Sequence, residues 1–216
     1  MMVAFAVASS TNKGTIPGEK LLRVGRCPHC SVASPNLNLL WHDTWQRVNE
    51  SRWASFRCAT CGGVVTTLMR YNGSTLELHK LWPDTKSAHE DIPDPARTFL
   101  QQAYETLHAP DAAAVMAGSA VDAMLKVHGY VEGSLYKRID EALKDNVLTS
   151  GMAQWAHTVR LGSNRPRHAD EKKPHVSPDE AKHSVDFAEA LGNFLFVLTA
   201  RIDRGIKAAE EAEGTD

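Results

Sequence analysis

The sequence predicts an α+β chain in which a small antiparallel β module precedes an all-α bundle of about five helices, and three observations predict it. Four cysteines fall in two Cys-x-x-Cys pairs within the first third of the chain. A proline-rich break, WPDTKSAHEDIPDP, follows from Trp82. Beyond it, apolar residues recur at the three- and four-residue spacing of helix faces instead of the two-residue alternation of strands.

A length of 216 residues suits one medium domain plus a small one. The 43% hydrophobic and 23% charged residues are ordinary for a folded chain and exclude wholesale disorder or a fibrous repeat. The expected organisation is a tail (1–19), a cysteine-bearing ribbon (20–80), a linker (81–94), a helical bundle (95–208) and a polar tail (209–216) that frays. Residues 1–90 hold 10 Lys and Arg against 6 Asp and Glu, whereas residues 91–216 hold 14 against 20. The mildly basic front hints at a polyanion without reaching the charge of a dedicated nucleic-acid binder. The opening MMVAFAVASS lacks a basic start and a cleavage pattern, and no apolar stretch is long enough to span a bilayer. The expectation is a cytoplasmic protein without a membrane partner.

The pairs Cys27/Cys30 and Cys58/Cys61 stand 27 residues apart, and no cysteine is left over. Two tight turns, each offering two thiolates, complete the tetrahedral sulfur shell that zinc prefers. Disulfides and a redox pair are the alternatives. The first belong to secreted chains and the second needs only one motif, so the spacing reads as one structural zinc per chain. With all four positions filled by protein, that zinc would do no chemistry. His29, inside the first turn, reads as a bystander. Trp41, Trp45, Trp53 and Phe56, with the β-branched VVTT run and a YNGS turn at Tyr71–Ser74, predict short antiparallel strands. Tryptophans beside such a ribbon read first as its minimal core. Among Arg47, Arg52 and Arg57 they could instead stack on bases.

The helices are expected from Pro95 to His108; after Asp111 as N-cap to Gly129; after Ser134 as N-cap to Asn146; from Thr149 to about Arg160; and, after SPDE at Ser177, through one long final helix. Between the last two lies VRLGSNRPRHADEKKPH, Val159–His175, read as an unusually cationic loop. Arg160, Asn164 and His168 are spaced i, i+4, i+8, which aligns them only if the backbone stays helical; Gly162 and Pro166 argue against that. Arg165, Arg167, Lys172, Lys173 and His175 add charge that either keeps the loop solvated or guides phosphates.

The blocks AAAVMAGSAVDAMLK, GSLYKRIDEALKDNVLT, MAQWAHTVRLGSNRPRHAD and DFAEALGNFLFVLTARI resemble the bacterial family catalogued as domain of unknown function 4145, in the HEPN-like helical superfamily, whose members often carry a zinc ribbon in front. The resemblance implies a helical bundle that dimerises. It also raises the prospect of a metal-independent endoribonuclease in a defence or toxin setting, with Arg160 and His168 as the paired motif and Asn164 beside them. By that implication Arg160 holds phosphate, and His168 takes the 2'-hydroxyl proton or protonates the leaving oxygen. Arg165, Arg167, Lys172 and Lys173 would contact RNA. Seven residues separate Arg160 from His168, more than the superfamily's usual four to six, and apolar Leu161 follows the arginine. The alternative is a non-catalytic dimerisation and interaction module, whose ribbon or bundle docks onto a protein partner or nucleic acid.

Overall fold

In a computed structural model the structure describes residues 24–43, 51–72, 76–168 and 172–213. Strands β1 (Leu37–His42), β2 (Ser51–Cys58), β3 (Val64–Tyr71) and β4 (Leu76–Trp82) form one antiparallel sheet in the order β1-β2-β3-β4. Helices α1 (Ala96–Glu105), α2 (Pro110–Val127), α3 (Leu135–Lys144) and α4 (Ser150–His168) follow. Then α5 (Pro178–Gly192), a π-helical turn (Asn193–Val197) and α6 (Leu198–Glu213) run on as one rod, because Asn193 and Leu198 both keep helical dihedrals. The α+β class with a sheet ahead of five helical rods is therefore present. Residues 1–23, Trp45, Arg47 and part of the YNGS turn lie outside the described residues.

Sheet register decides which side chains are covered. On β2, Arg52, Ala54 and Cys58 are buried while Trp53 and Arg57 are exposed, the alternation that a pleat imposes. The expectation that tryptophans form the ribbon's core is corrected here: Trp41 is 56% exposed and Trp53 40%. Ala54, Val65, Thr67 and Met69 occupy the covered face instead. Arg52 belongs to that covered face, 3.9 Å from Asp43, and cannot stack on a base.

The bundle's core runs from Ile92 to Val197. Ile92 lies in the connector between β4 and α1, so that segment contributes to packing as well as reach. Alanines at 113, 114, 117, 120 and 123, with Gly118, let α2 approach its neighbours closely. A Cβ added at Gly118 would come within 2.6 Å of Ser163 Oγ on α4. Ser134 caps α3 by accepting from the Lys137 N–H, and Ser177 with Glu180 forms a reciprocal capping box on α5.

Three boundaries need correction. Asp111 is not the N-cap of α2; Ala109 is, with Pro110 at the first helical position. The Asp111 carboxylate accepts instead from the Val176 N–H at 2.7 Å and from His175 Nδ1 at 2.7 Å, tying the approach to α5 to the start of α2. The supposed loop from Val159 is helical as far as His168, and α4 passes through Pro166. Proline's ring meets the carbonyl four residues back, which here belongs to Gly162, where no side chain hinders a small backbone adjustment. Only two residues follow Pro166 in the helix, so little is disrupted. The last helix also continues to Glu213, into the segment expected to fray.

Candidate functional site

Two features concentrate chemistry, one in each half of the chain. The first is the cysteine cluster. Cys27, Cys30, Cys58 and Cys61 bring their sulfurs within 4.8 Å of one another. The two turns are built alike: the Ser31 N–H donates to the Cys27 carbonyl at 2.8 Å, and the Gly62 N–H to the Cys58 carbonyl at 2.9 Å. The fourth residue after each leading cysteine takes a left-handed conformation, Ser31 at φ 59° and Gly62 at φ 74°. Glycine adopts that geometry without steric cost; Ser31 does so under the constraint of the turn.

All four thiols are free of disulfides. Cys27 Sγ and Cys61 Sγ stand 3.9 Å apart. That is far beyond a disulfide bond and close to the ~3.8 Å edge of a sulfur tetrahedron with ~2.3 Å metal–sulfur bonds. Burial pushes the Cys27 thiol up and the Cys30 thiol to about 12, which disfavours thiolates until a cation compensates them. Burial acts upward on Cys58 too, but the backbone amides of Cys61 and Thr60 outweigh it and bring Cys58 to about 7. The four residues therefore fit a metal ion held in a closed shell. His29 turns away and donates through Nε2 to the Val64 carbonyl at 2.8 Å. Arg26 fastens this module to the bundle, reaching the Ser31 carbonyl and the carboxylate of Glu105 at the end of α1.

The second feature is a cleft of about 660 Å³ between α2, α3 and α4, lined among others by Lys126, Arg138, Arg160, Asn164 and Arg167. Asp122 is the one carboxylate lining it among the described residues. Arg138, buried among apolar neighbours, donates to Asp122 at 2.6 Å and to the Val131 carbonyl at 3.0 Å. Lys126 reaches the same carboxylate at 2.6 Å. Arg160 lies over the Tyr136 ring at 5.3 Å, its Nε buried without a hydrogen-bond partner among the described residues. Arg167 donates to Ser119 Oγ at 2.9 Å. Four cations thus face one carboxylate across a concave surface, an arrangement suited to an anion.

The sequence groups Arg160 and Asn164 with His168 and sets Arg167 among the surrounding cations; the helical course of α4 instead puts Arg160, Asn164 and Arg167 on the cleft. His168 is exposed at the end of α4 and does not line it. Eight residues of helix set it about 12 Å along the axis from Arg160. Arg165 and Lys173 point elsewhere: both meet Glu180, at 3.0 and 2.7 Å, beside the capping box of α5. Lys172 is exposed. Sequence reasoning missed Asp122, Tyr136 and Arg138, and also His157, which bonds Asp140 at 3.0 Å and packs on Tyr136 with ring centroids 4.9 Å apart. A signal existed for Arg138, which falls on the same stripe as Leu135, Ile139 and Ala142, where a charge is out of place unless paired.

Glu180 gives this region a pH dependence. The Lys173 ammonium, the Ser177 N–H and Arg165 hold its carboxyl at about 2, against an ordinary 4.5. Because the folded value lies below the unfolded one, its stabilisation is complete above 4.5 and fades as pH falls toward 2. Amide protection across residues 177–184, the exchange rate corrected for the intrinsic rate at each pH, is expected to fall in that window, and Glu180→Gln to remove the pH response there. An unchanged response in the variant would assign it to other carboxylates.

The family model described as Domain of unknown function (DUF4145) matches residues 86–209. The chain belongs to this family. The DUF4145 match spans the first four helical rods and the fifth as far as residue 209, and it contains the whole cationic cleft, while the cysteine cluster lies before it. No curated protein and no solved structure matches the chain.

Proposed function

We propose that this DUF4145 protein binds RNA at the cationic cleft and acts as a metal-independent endoribonuclease of the HEPN-like kind, with a structural zinc in the ribbon. The observation that carries the reading is the convergence of Lys126, Arg138, Arg160 and Arg167 around one carboxylate. Arg160 is the group best placed for phosphate: the Tyr136 ring supports its guanidinium, and it has no carboxylate partner among the described residues. Asn164, one turn on, orients ribose or phosphate. His168 takes the 2'-hydroxyl proton or protonates the leaving oxygen, the roles an imidazole serves in general acid–base chemistry. Its distance from Arg160 along α4 makes a homodimer part of the reading, with the histidine of one chain serving a phosphate held by the other. The reading takes a bacterial defence or toxin role from the family resemblance and includes a cytoplasmic location; no helix among the described residues is long and apolar enough to cross a membrane.

The test is incubation of purified protein with mixed single-stranded and structured RNA. Arg160→Ala is expected to slow cleavage by roughly 10²- to 10³-fold, as loss of a group that stabilises developing charge does. His168→Ala is expected to abolish cleavage while leaving RNA binding within about twofold. No cleavage by the wild type, or equal cleavage by His168→Ala, overturns the catalytic assignment; RNA affinity unchanged by Arg160→Ala overturns the cleft as the binding site.

A second reading, a non-catalytic interaction module, is favoured by one surface. Phe194, Leu198, Ile202 and Ile206 recur every fourth residue along the final rod and are 42 to 54% exposed. Such a stripe is the face a partner helix covers. Light scattering that finds only monomers would remove the support for this reading and the dimer from the first.

A further inference from the structure

The open face of the sheet carries an arrangement that the cleft does not explain. Register sets Trp41, Ser55, Thr66 and Trp82 in one row across all four strands, with Trp53, Leu68 and Lys80 in the next. Rows on one face lie about 6.8 Å apart. The Trp53 and Trp82 rings stack diagonally between the rows, centroids 5.2 Å apart and planes inclined by 22°. Lys80 Nζ lies 5.0 Å from the Trp82 ring centre. Trp41 at one edge is more exposed still, with no ring partner among the described residues.

Register spreads the charge along this face. Lys80 stands in the row of Trp53, Arg57 lies toward the Cys58 end of β2, and neither has a carboxylate partner among the described residues. Arg70 lies at the other end, directly across from Glu77, to which Asn72 Nδ2 donates at 2.5 Å. Ser55 and Thr66 hydroxyls meet at 3.3 Å amid the rings, offering donors and acceptors of the kind that engage a 2'-hydroxyl. The opposite face is closed, with Ala54, Val65 and Thr67 wholly buried.

We infer that this sheet face is a docking surface for single-stranded RNA, with bases stacking on Trp53, Trp82 and Trp41 and phosphates meeting Arg57 and Lys80. The chemistry fits because a flat ring accepts any unpaired base, while a base within a duplex cannot present its face. A protein partner would want the apolar area without the two unpaired cations, Arg57 and Lys80. The inference extends the RNA reading of the helical cleft to a separate surface, and it rests on the sheet's geometry alone.

The experiment is anisotropy of a labelled single-stranded RNA of roughly 12 nucleotides, within the range such surfaces occupy, on the full chain, with photocrosslinks mapped by mass spectrometry. Trp53→Ala and Trp82→Ala are each expected to weaken binding about 5- to 100-fold, and Trp53→Phe to restore most of it. Lys80→Gln and Arg57→Gln are each expected to lower the log–log salt slope by about 0.7, with metal content measured alongside because Arg57 adjoins Cys58 and lies against Gly62 of the second cysteine turn. Arg160→Ala serves as the cleft control: crosslinks on the sheet persist in it if the two surfaces are separate, whatever happens to cleavage. Crosslinks confined to the helices, or affinities within twofold in both tryptophan variants, overturn the inference. Equal binding of the same-sequence DNA overturns its assignment to RNA, and equal binding of a blunt duplex overturns stacking as its basis.

Discussion

Replacing Cys58 or Cys61 by Ser, or stripping the metal with a chelator, is expected to unfold the sheet and leave the helices standing. Cys58 is both the last residue of β2 and a member of the cluster, so the metal site and the strand ladder share a residue. Among the described residues, the apolar side chains fully covered in this half are few and small, chiefly Ala54 and Val65, with Met69 and Val24 nearly so. A core of that size does not hold a small module together, and metal binding, worth about 10–16 kcal/mol in comparable zinc modules, becomes its folding energy. The bundle's core draws on residues from Ile92 onward and includes none from the sheet. Zinc by mass spectrometry is expected to fall from one equivalent to none, with loss of the sheet's dispersed amide signals and retention of helical circular dichroism. A Cys61→Ser protein that kept one equivalent of zinc and a folded sheet would falsify the assignment. Loss of the helices as well would show that the Arg26 to Glu105 tie is more than an attachment.

What could be read in advance follows from how local each determinant is. Cys-x-x-Cys turns, the Ser134 cap and the Ser177–Glu180 box are each specified within four residues, and each stands where the sequence put it. The course of α4 was not legible, because Pro166 and Gly162 are breakers by local propensity. The interactions that accompany the helix across them are tertiary: Arg165 meets Glu180 on α5, and Arg167 meets Ser119 on α2. Asp111 misled for the same reason. Its carboxylate serves an amide 65 positions away in sequence instead of its own helix. The tryptophans show the converse error, in which aromatic content was equated with a core before strand register was known. For the cleft, α4 supplied three of its lining residues in the sequence reading, whereas Asp122 and Arg138 come from α2 and α3 and meet only when those helices pack.

That Asp122–Arg138 pair is where stability and anion binding oppose each other, and Asp122→Ala is expected to move them in opposite directions. Asp122 is 23% and Arg138 10% exposed at the side chain, and the carboxylate also holds Lys126. Removing it leaves a nearly buried guanidinium with the Val131 carbonyl as its remaining acceptor. Breaking a fully buried pair costs about 3–5 kcal/mol. The cleft is open to water on one side, so a loss of about 2–3 kcal/mol is the expected result, a fall in Tm on the order of 10 °C for a bundle of this size. The same substitution takes the one lining carboxylate from among four cations, so polyanion affinity should rise. Because a ligand that binds only the folded state raises Tm by mass action, heparin or RNA should restore more stability to Asp122→Ala than it adds to the wild type. Asp122→Asn, which keeps a hydrogen-bond acceptor for Arg138 and loses the charge, should fall between the two in stability. Unchanged stability in Asp122→Ala would mean that solvent already satisfies Arg138, and an unchanged response to polyanion would mean that the anion lies beyond the reach of Lys126 and Arg138, toward Arg160 and Arg167 alone.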